Sequence, residues 1–343
     1  MSQRFVYPTC RLVRGAQASL DAALARFNVQ PVDEVRLAPK GWRGWPAKRT
    51  TLASEASVAG VGTFRGRERR TITFAPSARP GWWIRRTDQP EQLDTGVDIA
   101  NLWTSARNLV LRSGSPHNYL RMVEHIVALR AGLGIDNAVL RTNSGDPPLF
   151  DESSLPLVDA IEGAGIVETD EDATYVTVKE PLAFSGTRGD FLLFIPDDGS
   201  RRLRLDVAIS WDTIIGDQRI VFDVTPETFR YGAYARTNAT HRQYVFARTV
   251  GLLFADTRNL GYSKKNILIH GPRRWYTEPR LPLEGTDKFL EPVWHRASLD
   301  LLAALALTGP DRFVGTVVSY RAGHTQDCDA MRTLYRNDLL ARA

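Results

Sequence analysis

Apolar positions along this chain change period several times, and the changes predict its elements. Residues 119–131 repeat apolar side chains at helical spacing, and the pattern returns at 155–163, 243–253 and 295–307. Short runs rich in β-branched and aromatic residues at 70–74, 82–86, 138–142, 174–178, 190–195, 202–209 and 219–224 predict strands. Strand groups followed by helices occur twice, across 51–168 and across 173–334, so the fold class is α+β. Gly132 and Gly134 close the first helix where a left-handed residue costs least, and Ala138-Val139-Leu140 resumes as a strand. Before residue 51 there is one short periodic segment, 18–27. It is followed by Lys40-Gly41-Trp42-Arg43-Gly44-Trp45-Pro46, whose Gly, Pro and Trp break any regular element. This part reads as a docking arm or as an ordered cap on the core, and the two tryptophans point to packing.

Composition narrows the classes. With 343 residues, 43% hydrophobic and 24% charged, the chain has room for two domains that each bury a core. Cys10 and Cys328 lie far apart and form no C-x-x-C pair, which indicates neither a disulfide framework nor a thiolate metal site and fits a reducing compartment. No run approaches the roughly 20 apolar residues of a membrane span, and Met1-Ser2-Gln3-Arg4-Phe5 lacks the apolar core of a secretory signal, so the expected location is the cytoplasm. The charge of +5, from 44 basic and 39 acidic residues, is modest. Arg67, Arg69 and Arg70 beside Glu68, and Arg273 and Arg274 before Trp275, mix cations with aromatics, but no nucleic-acid motif accompanies them and nucleic acid is not an expected partner. A nucleotide-sugar diphosphate, or peripheral contact with an anionic membrane surface, would use the same residues.

The strongest chemical signal is Glu124-His125 on the first predicted helix. A carboxylate beside an imidazole suits metal-assisted hydrolysis, in which an ion lowers the pKa of a water and the acid takes its proton. The plain alternative is a helix whose polar edge carries Glu and His.

Further motifs occur in order: Gly60-Val61-Gly62, Trp83-Ile84-Arg85-Arg86-Thr87-Asp88, Val123-Glu124-His125 with Ala131-Gly132-Leu133-Gly134-Ile135-Asp136-Asn137, and Pro148-Leu149-Phe150-Asp151. They continue with Ala247-Arg248-Thr249-Val250-Gly251, His295-Arg296 with Leu299-Asp300, and Tyr320-Arg321-Ala322-Gly323-His324. In this series, from about residue 51 to residue 334, the chain resembles the UDP-3-O-acyl-N-acetylglucosamine deacetylases, zinc amidases that remove an acetyl group early in lipid A synthesis. The resemblance implies an extension at 1–50 and two related domains, 51–172 and 173–343, packed as a β-α-α-β sandwich with the active site between them. It further implies a Zn2+ cofactor and a small-molecule amino-sugar nucleotide substrate with an acyl chain. Glu124 takes the place of the general base, and His125, His295 and Asp300 those of the zinc ligands. Thr249 matches the threonine that helps hold the oxyanion, His324 the histidine that protonates the leaving amine, and Arg296 stands where the family has a lysine. Residues 250–254 match an insert that lines a passage for the acyl chain; the plain alternative is an ordinary core helix.

The chain also departs from the family. The family's His and Asp lie four apart on one helix, about 40° from each other, whereas His295 and Asp300 are five apart, which in a regular helix turns them roughly 140° apart. Three readings follow: a π-bulge or a displaced histidine restores the pairing; the histidine position falls on Arg296 and zinc is lost; or the site is rebuilt from His125, His295 and another nearby group. Ala304 stands where an acid orients the catalytic histidine, with Asp327 a substitute, and Phe64 stands in a histidine's place. The glycine pair expected near Tyr262-Ser263-Lys264-Lys265-Asn266 is missing. These departures motivate the alternative of a non-catalytic paralogue that binds a sugar nucleotide, lipid or protein partner.

Overall fold

The computed structural model describes residues 5–64, 66, 68–254 and 259–343; Arg67 of the basic cluster lies outside them. The fold is α+β. A six-stranded sheet carries the strands Pro148–Leu149, Ala56–Gly62, Arg69–Pro76, Ala138–Thr142, Trp82–Arg86 and Asp94–Gly96, in that order. Leu140 lies opposite Phe74 on its antiparallel neighbour and opposite Ile84 on its parallel one, so the alternating residues Ile72, Phe74, Trp82, Ile84, Ala138 and Leu140 line one buried face.

The second sheet has seven strands, in the order Arg11–Arg14, Leu182–Ser185, Phe191–Ile195, Gly315–Tyr320, Leu203–Trp211, Gly216–Asp223 and Glu34–Arg36. Both of its faces are buried, which explains the near-continuous apolar runs in its sequence. Ala183, Phe191, Leu193, Ala208, Val318 and Tyr320 on the outer face pack against Leu20, Ala23 and Phe27 of helix α1 (Gln17–Val29). The early residues are therefore an ordered cap: one strand pairs at each edge of the sheet, and α1 crosses the outer face between them.

Helices fill the space between the sheets. Helix α2 (Glu124–Leu133) shares the main core with the six-stranded sheet and packs on the segment made of α6 (Glu291–His295), a π-helical stretch Arg296–Leu301 and α7 (Leu302–Leu305). Helix α3 (Leu155–Ala164) covers the strand Ala56–Gly62, α4 (Pro226–Gly232) touches α2, α5 (His241–Arg248) is peripheral, and α8 (His324–Arg336) packs on α7. Gly134 ends α2 in the left-handed region (φ 67, ψ 43), where a Cβ would lie 2.4 Å from the Trp45 ring. A Cβ on Gly132 would strike the Phe229 ring at 2.1 Å, so this glycine lets α2 and α4 approach.

Besides the one at 295–307, two predicted helices are interrupted. The first begins at Glu124 rather than residue 119, because Tyr119–Arg121 pairs as a strand with Val110–Arg112 and Met122 adopts φ 49, which interrupts the right-handed path. The third is broken at Thr249 (φ −123, ψ −101) into α5 and a 3₁₀ turn, Val250–Leu253.

The cap is pinned through a buried charge pair. Asp206, fully buried, takes two hydrogen bonds from Arg219 (2.9 and 2.7 Å) and one from the Tyr7 hydroxyl at 2.5 Å. Arg219 also donates to the carbonyls of Phe27 and Gln30 at the end of α1, where a cation is favoured. Burial and the Asp206 charge both push the Tyr7 hydroxyl's pKa well above its ordinary value, so it stays a donor. Replacement of Asp206 by Ala, which strands the Arg219 charge, is expected to lower stability by about 3–5 kcal/mol in urea unfolding and to make residues before Arg36 the first proteolytic fragment; a loss under about 1 kcal/mol would leave the cap to apolar contacts alone.

Candidate active site

Glu124 opens α2 and is buried, with Oε2 accepting the Leu109 backbone N–H at 3.0 Å. Burial raises its carboxyl pKa, against the lowering influence of His324. The preceding Met122 holds a left-handed conformation, as does Arg321 before the other edge of the site; such strain in non-glycine residues costs on the order of 1–3 kcal/mol each and gathers at functional sites.

His125 and His295 converge. Their Nε2 atoms are 3.2 Å apart, and the Thr237 hydroxyl is 3.0 Å from the first and 3.1 Å from the second. His125 Nδ1 meets the Ser154 hydroxyl at 3.1 Å. Burial, and then the neighbouring His295 charge, push the His125 pKa down to about 3, so its imidazole is neutral. Burial opposes protonation of His295 as well, but the Asp300 carboxylate outweighs it and the pKa is raised.

The five-residue spacing is resolved by the π-helical stretch Arg296–Leu301. Its i→i+5 repeat returns residue 300 to the side of residue 295. Asp300 Oδ2 lies 3.5 Å from His295 Nδ1, and Oδ1 lies 3.5 Å from Nε2 of His324, the first residue of α8. Although burial works against ionisation, the two imidazoles hold the Asp300 carboxyl below the usual carboxylate range. Asp300 thus stands beside the histidine that Ala304 would leave without an acid, and His324 Nδ1 is buried with no hydrogen-bond partner. The wide turn fits against Gly232 of α4, where a Cβ would lie 2.0 Å from the Ser298 hydroxyl.

Thr237 owes its place to a second buried pair. Glu291, at the start of α6, accepts from Arg236 N at 2.9 Å, Arg236 Nε at 2.7 Å and Arg236 Nη2 at 3.1 Å, which fixes the backbone next to Thr237. Trp294 is wedged against Phe222 (4.7 Å) and Tyr231 (5.0 Å), and its indole donates to Glu34 of the cap at 2.8 Å.

Other predicted residues lie differently. Arg296 turns into the core, donating to the Ala322 carbonyl (2.8 Å), the Ser319 hydroxyl (3.2 Å) and Asp327 (2.6 Å), while its Nη1 has no partner. Asp327 therefore serves Arg296. Thr249 is exposed, and its hydroxyl donates to the Val245 carbonyl at 2.8 Å. The Phe64 ring lies under the Arg121 guanidinium at 4.2 Å, and its N–H donates to Asp146. In the predicted passage, Val250, Leu253 and Phe254 are exposed rather than core, as are Val245 and Phe246 on α5. Sequence reasoning missed Thr237, Ser154 and Tyr262; the Tyr262 hydroxyl feels the Glu124 charge, and mainly burial drives its pKa upward.

The donor chemistry suits a metal in part. Two imidazoles, the buried His295 and the half-buried His125, present Nε2 atoms to one point, but Asp300 approaches His295 from the opposite ring edge. Among the described residues, no group of three or more His, Cys, Asp or Glu side chains is arranged to hold an ion.

A family model described as UDP-3-O-acyl N-acetylglycosamine deacetylase matches residues 49–336. The chain belongs to that family. Proteins named UDP-3-O-acyl-N-acetylglucosamine deacetylase from Brucella ovis and Brucella canis are each 27% identical to it over 295 residues, covering 85% of this chain and 96% of the relative. One from Brucella melitensis biotype 2 matches to the same extent. At that identity the protein is a divergent hydrolytic N-deacetylase. Among the described residues of this deacetylase, no helix is long and apolar enough to cross a membrane.

Replacing Arg296 by Ala leaves Asp327 buried without its cation and is expected to cost about 3–5 kcal/mol, whereas Arg296→Met with Asp327→Leu should recover most of the loss, as read by urea unfolding. Equal loss in both variants would show that the arginine's packing, not its charge, is what matters.

Proposed function

We propose that this deacetylase removes the acetyl group of an N-acetylated amino-sugar nucleotide bearing an acyl chain, UDP-3-O-acyl-N-acetylglucosamine or a relative, by zinc-dependent hydrolysis. The observation that carries the reading is the convergence of the His125 and His295 Nε2 atoms at 3.2 Å, with the Asp300 carboxylate 3.5 Å from both His295 and His324. His125 and His295 would hold the ion, with Asp300 supplying negative charge against His295. When bound, Zn2+ supplies Lewis-acid polarisation of the amide carbonyl and a water of lowered pKa.

The chain's own groups do the remaining work. Glu124 Oε2 is fixed by the Leu109 N–H, which leaves Oε1 to take the proton of the attacking water, and burial, by raising the carboxyl's pKa, makes it a better base. His324, with Nε2 toward Asp300 and Nδ1 free of protein partners, gives a proton to the departing amine. Thr249 would have to release Val245 before meeting an oxyanion, and Arg296 supports the site through Asp327 and Ser319. The exposed Val245, Phe246, Val250, Leu253 and Phe254 offer an apolar surface for the acyl chain.

Glu124→Gln is expected to lower kcat by about 10²–10⁴-fold in a deacetylation assay, with an unchanged circular dichroism spectrum. Full activity would remove Glu124 from the role of base. Leu253→Asp should raise KM for a long-chain substrate roughly tenfold, leave kcat unchanged and spare a short-chain analogue. A similar change with both substrates would place the acyl chain elsewhere.

A further inference from the structure

Arg130 is a buried cation held by neutral groups. It lies in the last turn of α2, and its guanidinium donates to the Ala306 carbonyl at 2.5 Å, the Asp311 carbonyl at 2.8 Å and the Thr308 hydroxyl at 3.4 Å. Among the described residues no carboxylate bonds to it. Burial opposes its charge and brings its pKa down to about 10, with Asp136 the main influence in the other direction.

A second buried guanidinium stands near. Arg312 is engaged by Asp136, which accepts from its Nε at 2.6 Å and its Nη2 at 2.7 Å, and the Arg312 charge lowers the Arg130 pKa further. The buried charges are therefore two cations and one carboxylate. Asp311 is partly exposed, its carboxylate accepts from the Thr174 hydroxyl, and it acts on Arg130 less than Asp136 does.

Two donors remain. Arg130 Nε and Arg312 Nη1 are both buried without a hydrogen-bond partner in the protein. Both side chains line one cavity of about 20 Å³, whose other walls include Trp45 of the cap, Leu203, Leu305 and Phe313. A cavity of that size with polar walls takes one water-sized species, whereas cavities that stay dry are apolar throughout. Water there satisfies the donors but leaves the charge unbalanced. A small anion does both, and apolar surroundings of low dielectric strengthen its pairing. The volume suits a halide and is too small for phosphate or sulfate.

We infer that this cavity is a halide site, in which one chloride ion accepts from Arg130 Nε and Arg312 Nη1. The inference is independent of the metal-dependent reading. The ion joins three parts of the chain: the end of the helix that opens with Glu124, the segment 305–313 of the second half, and the cap through Trp45. Because the site exists only when these parts are assembled, chloride stabilises the folded state in proportion to the logarithm of its concentration.

The test uses purified full-length protein. Crystals soaked in sodium bromide are read by anomalous diffraction at the bromine edge, and thermal unfolding is followed as chloride replaces gluconate at constant ionic strength, for the parent and for Arg130→Met. The expected result is one bromide in the cavity bonded to Arg130 and Arg312. With it, the parent's Tm should rise by about 2 °C for each tenfold increase in chloride above its Kd, and that of Arg130→Met should not respond. Water in the cavity and no bromide would overturn the inference. So would bromide in the cavity with the same Tm in chloride and gluconate, which is an adventitious ion only. A chloride response that survives in Arg130→Met would place the stabilising ion elsewhere and overturn it too. Should the methionine variant not fold, the bromide map and the chloride response of the parent decide together.

Discussion

An α-helix returns a side chain to the same face after three or four residues, not after five, so His295 and Asp300 meet only because the chain widens to a π-helical turn between them. Much else at the site follows from that extra residue. It holds Asp300 against both His295 and His324, directs Arg296 inward to Asp327, and returns Leu302–Leu305 to an α-helical path against α2. A π turn gives up regular i→i+4 hydrogen bonds, and here it is surrounded by fixed packing: Trp294 on one side, Gly232 of α4 on another, and the strands of the second sheet beneath.

Two buried charge pairs hold the frame around this turn. Arg236 and Glu291 tie the start of α6 to the segment that presents Thr237, while Arg219 and Asp206 tie the second sheet to its cap. Each is a case in which desolvated charge is tolerated because nearly every donor has a geometrically suitable acceptor, so the contribution lies in fixing position as much as in stability. The site joins side chains from α2, α6, the π turn, α8 and the loop before the strand Asn238–Thr240, and such a distributed set needs rigid anchors between its parts.

Much of this could be read from the sequence, for reasons of period. The strand runs at 70–74, 82–86 and 138–142 became central strands because alternation with one buried face leaves little freedom of register. Gly134 was legible because a left-handed helix end admits few other residues. A π turn was one reading of the spacing at His295 and Asp300, beside loss of the metal or a rebuilt site, and the structure has the π turn. Thr237 and Ser154 were not legible: each is a lone hydroxyl in no motif, and Thr237 is placed by an ion pair whose partners are 55 residues apart in sequence. Nor was the broken helix at Thr249, where the apolar residues counted as periodic are a solvent-facing surface. The edge strands Arg11–Arg14 and Glu34–Arg36 are too short for any periodic signal, and only their partners define them.

Those edge strands bear on the order of assembly. Arg11–Arg14 pairs with Leu182–Ser185, and Glu34–Arg36 with Gly216–Asp223, so these segments wait for strands made much later. Until then α1 has no sheet to cover, and Leu20, Ala23 and Phe27 face water. Closing such long loops is slow relative to local structure, and an amphipathic helix kept waiting is exposed to association with other chains. Once docked, the same segment occupies both margins of the sheet, whose edges are then strands of only four and three residues that leave little backbone for a neighbouring molecule to extend. The part of the chain most vulnerable during synthesis thus becomes the part that shields the finished molecule.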